Sequence, residues 1–459
     1  MTSDSTELRN LTELTNASRW AARKVPLPWL ADRLGDLSSA EHFSLAHIPL
    51  KNSSHWVFRN GAVHHRSGRF FSVIGITAES PSGLFVEQPL LDQREIGTLA
   101  VYLRQRAGVT EVLAQFKAEP GNVGLFQLAP SYQATASNTD RVHGGVSPSL
   151  GGWLQGGGAY VSDTLQSEQG SRFYGKRNRN VGLLLNEPCE VDTRFHAWMP
   201  ARDLCTLLSD DHLVNTDLRS TLVCTDWALL GGGRPFGGDG FAQLLRASYE
   251  LADDQSVERL ADVMQQLEKP VEWRKMPKIV PLEALRGWAM DEEGPAPQAN
   301  SMRPFRVRHI LVHSESREVQ TWDQPIVQSG GEGRVILPMA LSGGVPHFLF
   351  KEVAEPGFGT RAELTTAILV EPGALEELSL FEHSLLSGAR ELVACRQSEE
   401  GGRFLFDENQ YAIVDAGTTI KLPAGYHWLS LAQISFLIKR GCTFTNEARS
   451  ALSLLLKWL

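Results

Sequence analysis

A run of side chains in this chain returns 230 positions later with its spacing unchanged. Trp198, Leu204, Leu207, Asp217, Arg219 and Ser220 are answered by Trp428, Ile434, Leu437, Glu447, Arg449 and Ser450. Ala-Glu-Pro-Gly at 118–121 recurs at 354–357, each time after an apolar stretch that opens on a Gly-Val pair, Gly108-Val109 and Gly344-Val345. Gln-Leu-Ala-Pro ending at Pro130 has a partner in Leu-Val-Glu-Pro ending at Pro372. Self-similarity at a fixed offset marks a copied structural unit. The chain therefore reads as two similar α+β domains from an internal duplication, residues 1–230 and 301–459, joined by a helical bridge and linker over 231–300. One large domain with coincidental echoes is the alternative. A length of 459 residues suits either.

Local patterning fills in the units. Apolar spacing predicts short helices over 5–20 and 28–38. Strands are expected at 56–58, before an Asn60-Gly61 turn, and then at 69–79, 84–91 and 98–105. Val112, Leu113 and Phe116 lead to a Pro120-Gly121-Asn122 turn, followed by Val123, Leu125, Phe126 and Leu128. That is a hairpin, and Pro130 ends its second strand because proline cannot donate to a ladder. Residues 144–175, rich in Gly and Ser around Trp153, read as an ordered loop. The run 176–180 should lead into a strand at 181–185, with another at 193–199. Helices are expected at 200–208 and 216–229, Thr216 being the N-cap candidate, and one long amphipathic helix at 241–268. Residues 291–301 read as a linker, after which strands resume at Phe305.

The stretch 115–145 concentrates chemistry. Lys117, Glu119 and His143 form an acid–base set, beside the polar side chains of Gln127, Gln133, Thr135, Ser137 and Asn138. A hairpin with a solvated loop is the blander reading. Yet a polar loop flanked by rigid strands is where binding groups gather. The second copy has Val353 in place of Lys117 and no counterpart of the loop carrying Arg141 and His143. If shared parts are scaffold, the chemistry belongs to the first half.

Net charge is −9, from 44 basic and 53 acidic residues, so nucleic acid is not an expected partner and a local basic cluster needs a local reason. Arg172, Lys176, Arg177 and Arg179, with Asn178 and Asn180 interleaved, form such a cluster. A solvated positive face is one account. The other is a diphosphate site, since guanidinium forks match phosphate oxygens, which would fit a nucleotide or nucleotide-sugar. The five scattered cysteines form no C-x-x-C pair, and no apolar run reaches membrane-spanning length. A cytoplasmic protein with no membrane partner is expected. Dinucleotide, P-loop, nucleophile-elbow and zinc-helix motifs are all missing from the sequence, so no tightly bound redox cofactor or metal is expected.

Lys117-Ala-Glu-Pro-Gly-Asn, Gln127-Leu-Ala-Pro-Ser-Tyr-Gln-Ala-Thr-Ala-Ser-Asn, Arg141-Val-His-Gly-Gly and Arg172-Phe-Tyr-Gly-Lys-Arg-Asn-Arg-Asn together resemble the NDP-hexose 2,3-dehydratases. His65-Arg-Ser-Gly-Arg-Phe-Phe-Ser-Val adds to the resemblance, which spans essentially the whole chain. It implies a homodimer of subunits with two Nudix-like domains each, a lyase reaction on TDP-4-keto-6-deoxy-D-glucose without cofactor, and a product passed to an NAD(P)H-dependent 3-ketoreductase. On that reading Lys117, Glu119 and His143 share the base, acid and oxyanion-donor roles, which the sequence does not rank. Arg141, Arg172, Lys176, Arg177 and Arg179 would hold the diphosphate. Gln127, Gln133, Thr135, Ser137 and Asn138 would contact sugar and base. Trp153 is a stacking or a core residue, and Arg69 reaches phosphate or braces the fold. The chain lacks the Nudix pyrophosphatase signature. A metal-dependent nucleotide-sugar hydrolase and a catalytically silent binding protein are the other classes.

Overall fold

The computed structural model describes residues 25–135, 150–187, 190–299, 301, 303–317, 319–372 and 378–459. The helix expected over 5–20 lies outside them, whereas Pro28–Ala40 is helical, burying Leu30, Leu34 and Leu37.

In chain order, the first strands are β1 Phe43–His47, β2 Trp56–Arg59, β3 Ala62–His65, β4 Ser72–Glu79 and β5 Phe85–Asp92. Asn60 and Gly61 join β2 to β3 with positive φ at both, the conformation a two-residue hairpin turn requires. The main sheet follows: β6 Gly97–Arg106, β7 Val109–Ala118, β8 Phe126–Ala129, β9 Tyr132–Ala134, β10 Gly158–Ser167, β11 Arg177–Leu185 and β12 His196–Pro200. Its order is β10-β11-β6-β7-β12, with β8 on β7 and β9 on β6; β11 runs parallel to β6.

After β13 Lys275–Val280, β14 Trp288–Met290, β15 Pro295–Pro297, β16 Phe305–Ser314 and β17 Thr321–Ser329, the sheet is built again. Its strands are β18 Glu332–Ser342, β19 Val345–Val353, β20 Glu363–Thr366, β21 Ile368–Val370, β22 Arg390–Ser398, β23 Glu408–Thr418 and β24 Tyr426–Leu429. Every pairing of the first sheet has its equivalent, down to the parallel pair β18/β23. The protein is thus mixed α+β with two repeated sheet-rich halves.

The halves are interleaved. β1 pairs with β16, and β13 with β4. One apolar cluster holds Val101, Val112 and Leu128 of the first sheet together with Val335, Phe348 and Ile413 of the second. Helices Thr216–Cys224 and Asn446–Ser453 meet between the sheets. There Arg219 donates to Ser450 Oγ, Val214 O and Ser398 O, while Arg449 donates to Ser220 Oγ, Phe444 O and Ser167 O. The duplicated Pro-Gly turns cross over likewise: Gly121 N–H donates to Gly401 O and Gly357 N–H to Gly170 O, both at 2.8 Å.

Several local expectations are corrected. The Gly/Ser-rich 144–175 stretch contains β10, whose Thr164–Ser167 end is buried, so composition concealed a strand. The basic run lies inside β11 rather than ahead of it. Asn215, not Thr216, caps its helix, accepting from Leu218 N–H, and Asp226 caps a separate turn at Trp227–Leu230. The long helix is two, Phe241–Tyr249 and Leu260–Leu267. Between them Asp253 accepts from Leu260 N–H and Gln433 Nε2, drawing the chain out of helical register. The expected linker is partly ordered as the β14/β15 hairpin, with Ala296 buried.

Candidate functional site

A cavity of about 690 Å³ opens against the first sheet. Gln115 to Pro120 at the end of β7, Ser131 to Thr135 along β9, and Lys176 and Asn178 at the start of β11 form one side. The second half closes it with Arg317, Asp323, Glu400 and Arg403. The equivalent place in the second sheet is nearly filled, with about 30 Å³ remaining among Arg172, Glu371, Asp407 and Glu447.

Lys117 and Glu119, two apart and thus on one face of the strand end, form an ion pair at 2.9 Å, 12% and 4% exposed. Burial favours the neutral acid, but Lys117, Arg317 and Arg403 outweigh it and hold the Glu119 carboxyl below its ordinary range. Glu119 Oε2 has no hydrogen-bond partner, nor have Gln133 Oε1 and His196 Nε2. All three residues line the cavity, and buried polar atoms without partners are costly unless something else meets them. His196, on β12, was missed in the sequence because it stands alone in an apolar strand; burial lowers its pKa.

Beneath lies a group of buried acids. Gln133 donates to Asp217, whose pKa burial and the neighbouring Glu400, Glu168 and Glu119 push well up. Glu168 is raised to about 7, by burial against the pull of Arg449. Burial lowers the pKa of Lys176, whose Nζ donates to Glu95 O at 2.8 Å. Arg403 is fixed by two bonds to Gln93 Oε1 and lies over the Phe71 ring at 4.4 Å.

At the mouth stands a group that the sequence did not single out. His55 Nδ1 is 2.6 Å from Asp323 Oδ1, and His309 Nε2 is 2.8 Å from Oδ2. His65 lies parallel to His55 with ring centroids 5.9 Å apart. His55 and Asp323 are 268 positions apart, one from each half, so no local spacing could have joined them.

Of the expected site residues, Lys117, Glu119, Gln133, Thr135, Lys176 and Asn178 line the cavity. Ser137, Asn138, Arg141 and His143 lie outside the described residues. The basic cluster is not brought together, because alternate strand residues face opposite ways. Asn178 is buried and donates to Glu168, while Arg179 sits on the outer face paired with Asp163. Arg177 is half-buried and does not line the cavity. Arg172 serves the smaller cavity, paired with Glu371 at 2.9 Å and stacked on Phe305 at 4.1 Å. Its counterpart across the duplication is Arg403, which reaches the larger one. Gln127 is fully buried and donates to Ser398 Oγ across the halves. Trp153 packs against the Tyr102 and Tyr132 cluster, and Arg69 is exposed outside the cavity.

A duplicated α+β scaffold, holding lysines, carboxylates and histidines around a cavity of small-molecule size, defines an acid–base enzyme. A family model described as NDP-hexose 2,3-dehydratase matches residues 27–225 and 259–455. A dTDP-4-dehydro-6-deoxy-alpha-D-glucopyranose 2,3-dehydratase from Streptomyces violaceoruber is 32% identical over 93% of this chain and 95% of its own length. Proteins of the same name from Saccharopolyspora spinosa and Amycolatopsis orientalis are 31% and 30% identical, over 92% and 93% of this chain and 89% and 88% of theirs. The chain belongs to the NDP-hexose 2,3-dehydratase family, whose members are hydro-lyases. No helix among the described residues is long and apolar enough to cross a membrane.

Proposed function

We propose that this chain removes water across C2 and C3 of dTDP-4-keto-6-deoxy-D-glucose, giving the 3,4-diketo-2,6-dideoxy sugar nucleotide. A proton on C3 of a 4-keto sugar is acidic because its carbanion delocalises into the C4 carbonyl. The C2 hydroxyl then departs and the enol tautomerises. The site must supply a base, a donor to the developing oxyanion, and an acid for the leaving group.

The observation that carries this reading is the Lys117–Glu119 pair at the large cavity, set against a second copy that has Val353 in place of Lys117 and whose equivalent place is nearly filled. Glu119, held ionised, is a weak base but a good anchor. It aims Lys117 through their 2.9 Å contact, so Lys117 donates to the C4 oxygen as charge develops there. Lys176, Arg317 and Arg403 contribute further basic groups at the cavity for the diphosphate, and Gln133, Thr135 and Asn178 the sugar and base contacts.

The finer expectations belong to the same proposal: Nudix-like units over 1–230 and 301–459 with a helical bridge, a cytoplasmic homodimer, His143 as a further acid–base group, and an NAD(P)H-dependent 3-ketoreductase consuming the product. The test is incubation with the 4-keto sugar nucleotide and o-phenylenediamine. A quinoxaline adduct reports the vicinal diketone; release of nucleoside monophosphate without adduct overturns the reading in favour of a hydrolase.

A further inference from the structure

We infer that His55 and Asp323, one from each half of the chain, form a proton-transfer dyad at the mouth of the cavity, with His55 the base for C3. The inference rests on the proposed 2,3-dehydration.

The geometry is that of an oriented imidazole. Asp323 is 6% exposed. It accepts from His309 and from Ser53 Oγ, and faces His55 Nδ1 at 2.6 Å. Trp56 Nε1 donates to its backbone oxygen at 2.8 Å, and Ser53 Oγ accepts from Trp56 N–H, which locks the bend carrying His55, just ahead of β2, against β17. Burial opposes ionisation of Asp323, yet the bonds from His309, Ser53 and His55 hold its pKa well below the carboxylate range. An ionised carboxylate only accepts, so Nδ1 of His55 carries the hydrogen and the lone pair sits on Nε2. A carboxylate that fixes the tautomer and meets the imidazolium is what a histidine base needs. The charged or titratable groups facing His55 are Asp323 from β17, His65 from β3 and, beyond Asp323, His309 from β16. His65 is held toward its neutral form by burial and then by His55 itself, so it does not compete for the proton.

Lys117 lines the same cavity and leaves the base unassigned once Glu119 is committed to it. In the step, the C3–H bond breaks and its proton passes to Nε2 while the electron pair enters the C4 carbonyl at Lys117. The pair returns as the C2–O bond breaks. The departing hydroxide takes the proton from the imidazolium and leaves as water, restoring neutral His55.

His55 is 54% exposed on its side chain, so its removal spares the core and admits a small molecule from solvent. His55→Ala should lower kcat by roughly 10²-fold with little change in KM. Added imidazole should restore at least a tenth of the lost rate while leaving the wild type unaffected. Asp323→Asn, the positioning change, should shift the acidic limb of the kcat–pH profile to lower pH as well as lower kcat, because the imidazolium loses the carboxylate that stabilises it. A His55→Ala enzyme with wild-type kcat, or one whose loss is all in KM and unmoved by imidazole, overturns the dyad and leaves the dehydration standing. A wild-type protein that forms no quinoxaline overturns both.

Discussion

Lys117 and Val353 occupy one position in two copies of the same hairpin, and the difference between them is the sharpest functional contrast in the chain. Each is followed two residues later by a buried glutamate. Glu119 is held ionised by Lys117 and two arginines, whereas burial and the nearby Glu447, Glu371 and Glu363 push Glu355 well up. Lys117→Met should therefore cut kcat by roughly 10²–10³-fold, the scale of losing one preorganised donor to an oxyanion. Val353→Ala should leave turnover within about twofold; equal losses in steady-state assays of the two variants would remove the asymmetry between halves. The glycines of the repeated turns make a contrasting case, in which both copies matter. A Cβ on Gly121 would collide with Phe404 O, and one on Gly357 with Phe173 O. Gly121→Ala and Gly357→Ala should each cost roughly 3 kcal/mol or more, because backbone on both sides must move. Denaturant titration of the pair checks this. The recurrence of Ala-Glu-Pro-Gly was plain in the sequence, but its reason lies in a contact with the other copy that only three dimensions reveal.

Among the elements, β24 shows how a strand is pinned from outside its own unit. His427 on β24 lies between Glu352 on β19 and Glu258, 2.9 Å from each, and Glu258 also accepts from Trp428 N–H. Burial alone would lower the His427 pKa; the two glutamates outweigh it and raise it to about 9. The folded pKa is above the unfolded value of about 6.5, so the pair's contribution is complete below pH 6.5 and is lost as pH rises through 9. At 1.36 kcal/mol per unit the contribution is at most about 3 kcal/mol. Stability measured by urea unfolding should fall between pH 7 and pH 10, and His427→Gln should flatten that decline. An identical decline in the variant would place the pH sensitivity elsewhere. Elements of this kind were legible in part. Apolar patterning gave β2, β4 to β7 and the β7/β8 hairpin, and Asn60-Gly61 gave its turn, while the short β3 at Ala62–His65 went unread. β10 was hidden because its buried end carries polar side chains, of which Gln166 donates to Ile438 O and Ser167 to Glu363 in the other half rather than packing in oil. The 241–268 helix was overread because a carboxylate 180 residues from its partner, Asp253 to Gln433, decides where it stops.

At the scale of the whole molecule, the repeat predicts two units but not how much each depends on the other. Periodicity fixes which face of a strand is apolar and is silent on which copy will cover it. Here the copies cover each other. Core residues of both sheets form one cluster, Arg219 and Arg449 each cap a carbonyl of the opposite half, and β1 completes a sheet with β16. The cavity is shared as well, since Arg403 and Asp323 reach it from the second half while Lys117 and His55 belong to the first. Half of the candidate site was thus readable in the stretch around Lys117, and the other half was not, because its members are more than 200 residues away. A buried arginine cut off from its acceptors leaves carbonyls and a charge without partners, at about 1–3 kcal/mol for each group. Against a net stability of ordinary size, about 5–15 kcal/mol, one half cannot absorb these losses together with an exposed sheet face. Residues 1–230 expressed alone should lack a cooperative thermal transition and bind an apolar dye, as should residues 231–459. Expressed together they should copurify, melt cooperatively and recover dehydratase activity, because the interface itself supplies the missing partners. A first half that melts cooperatively on its own would show that the copies fold before they meet, and that the reciprocal arginines hold together two finished units rather than completing one.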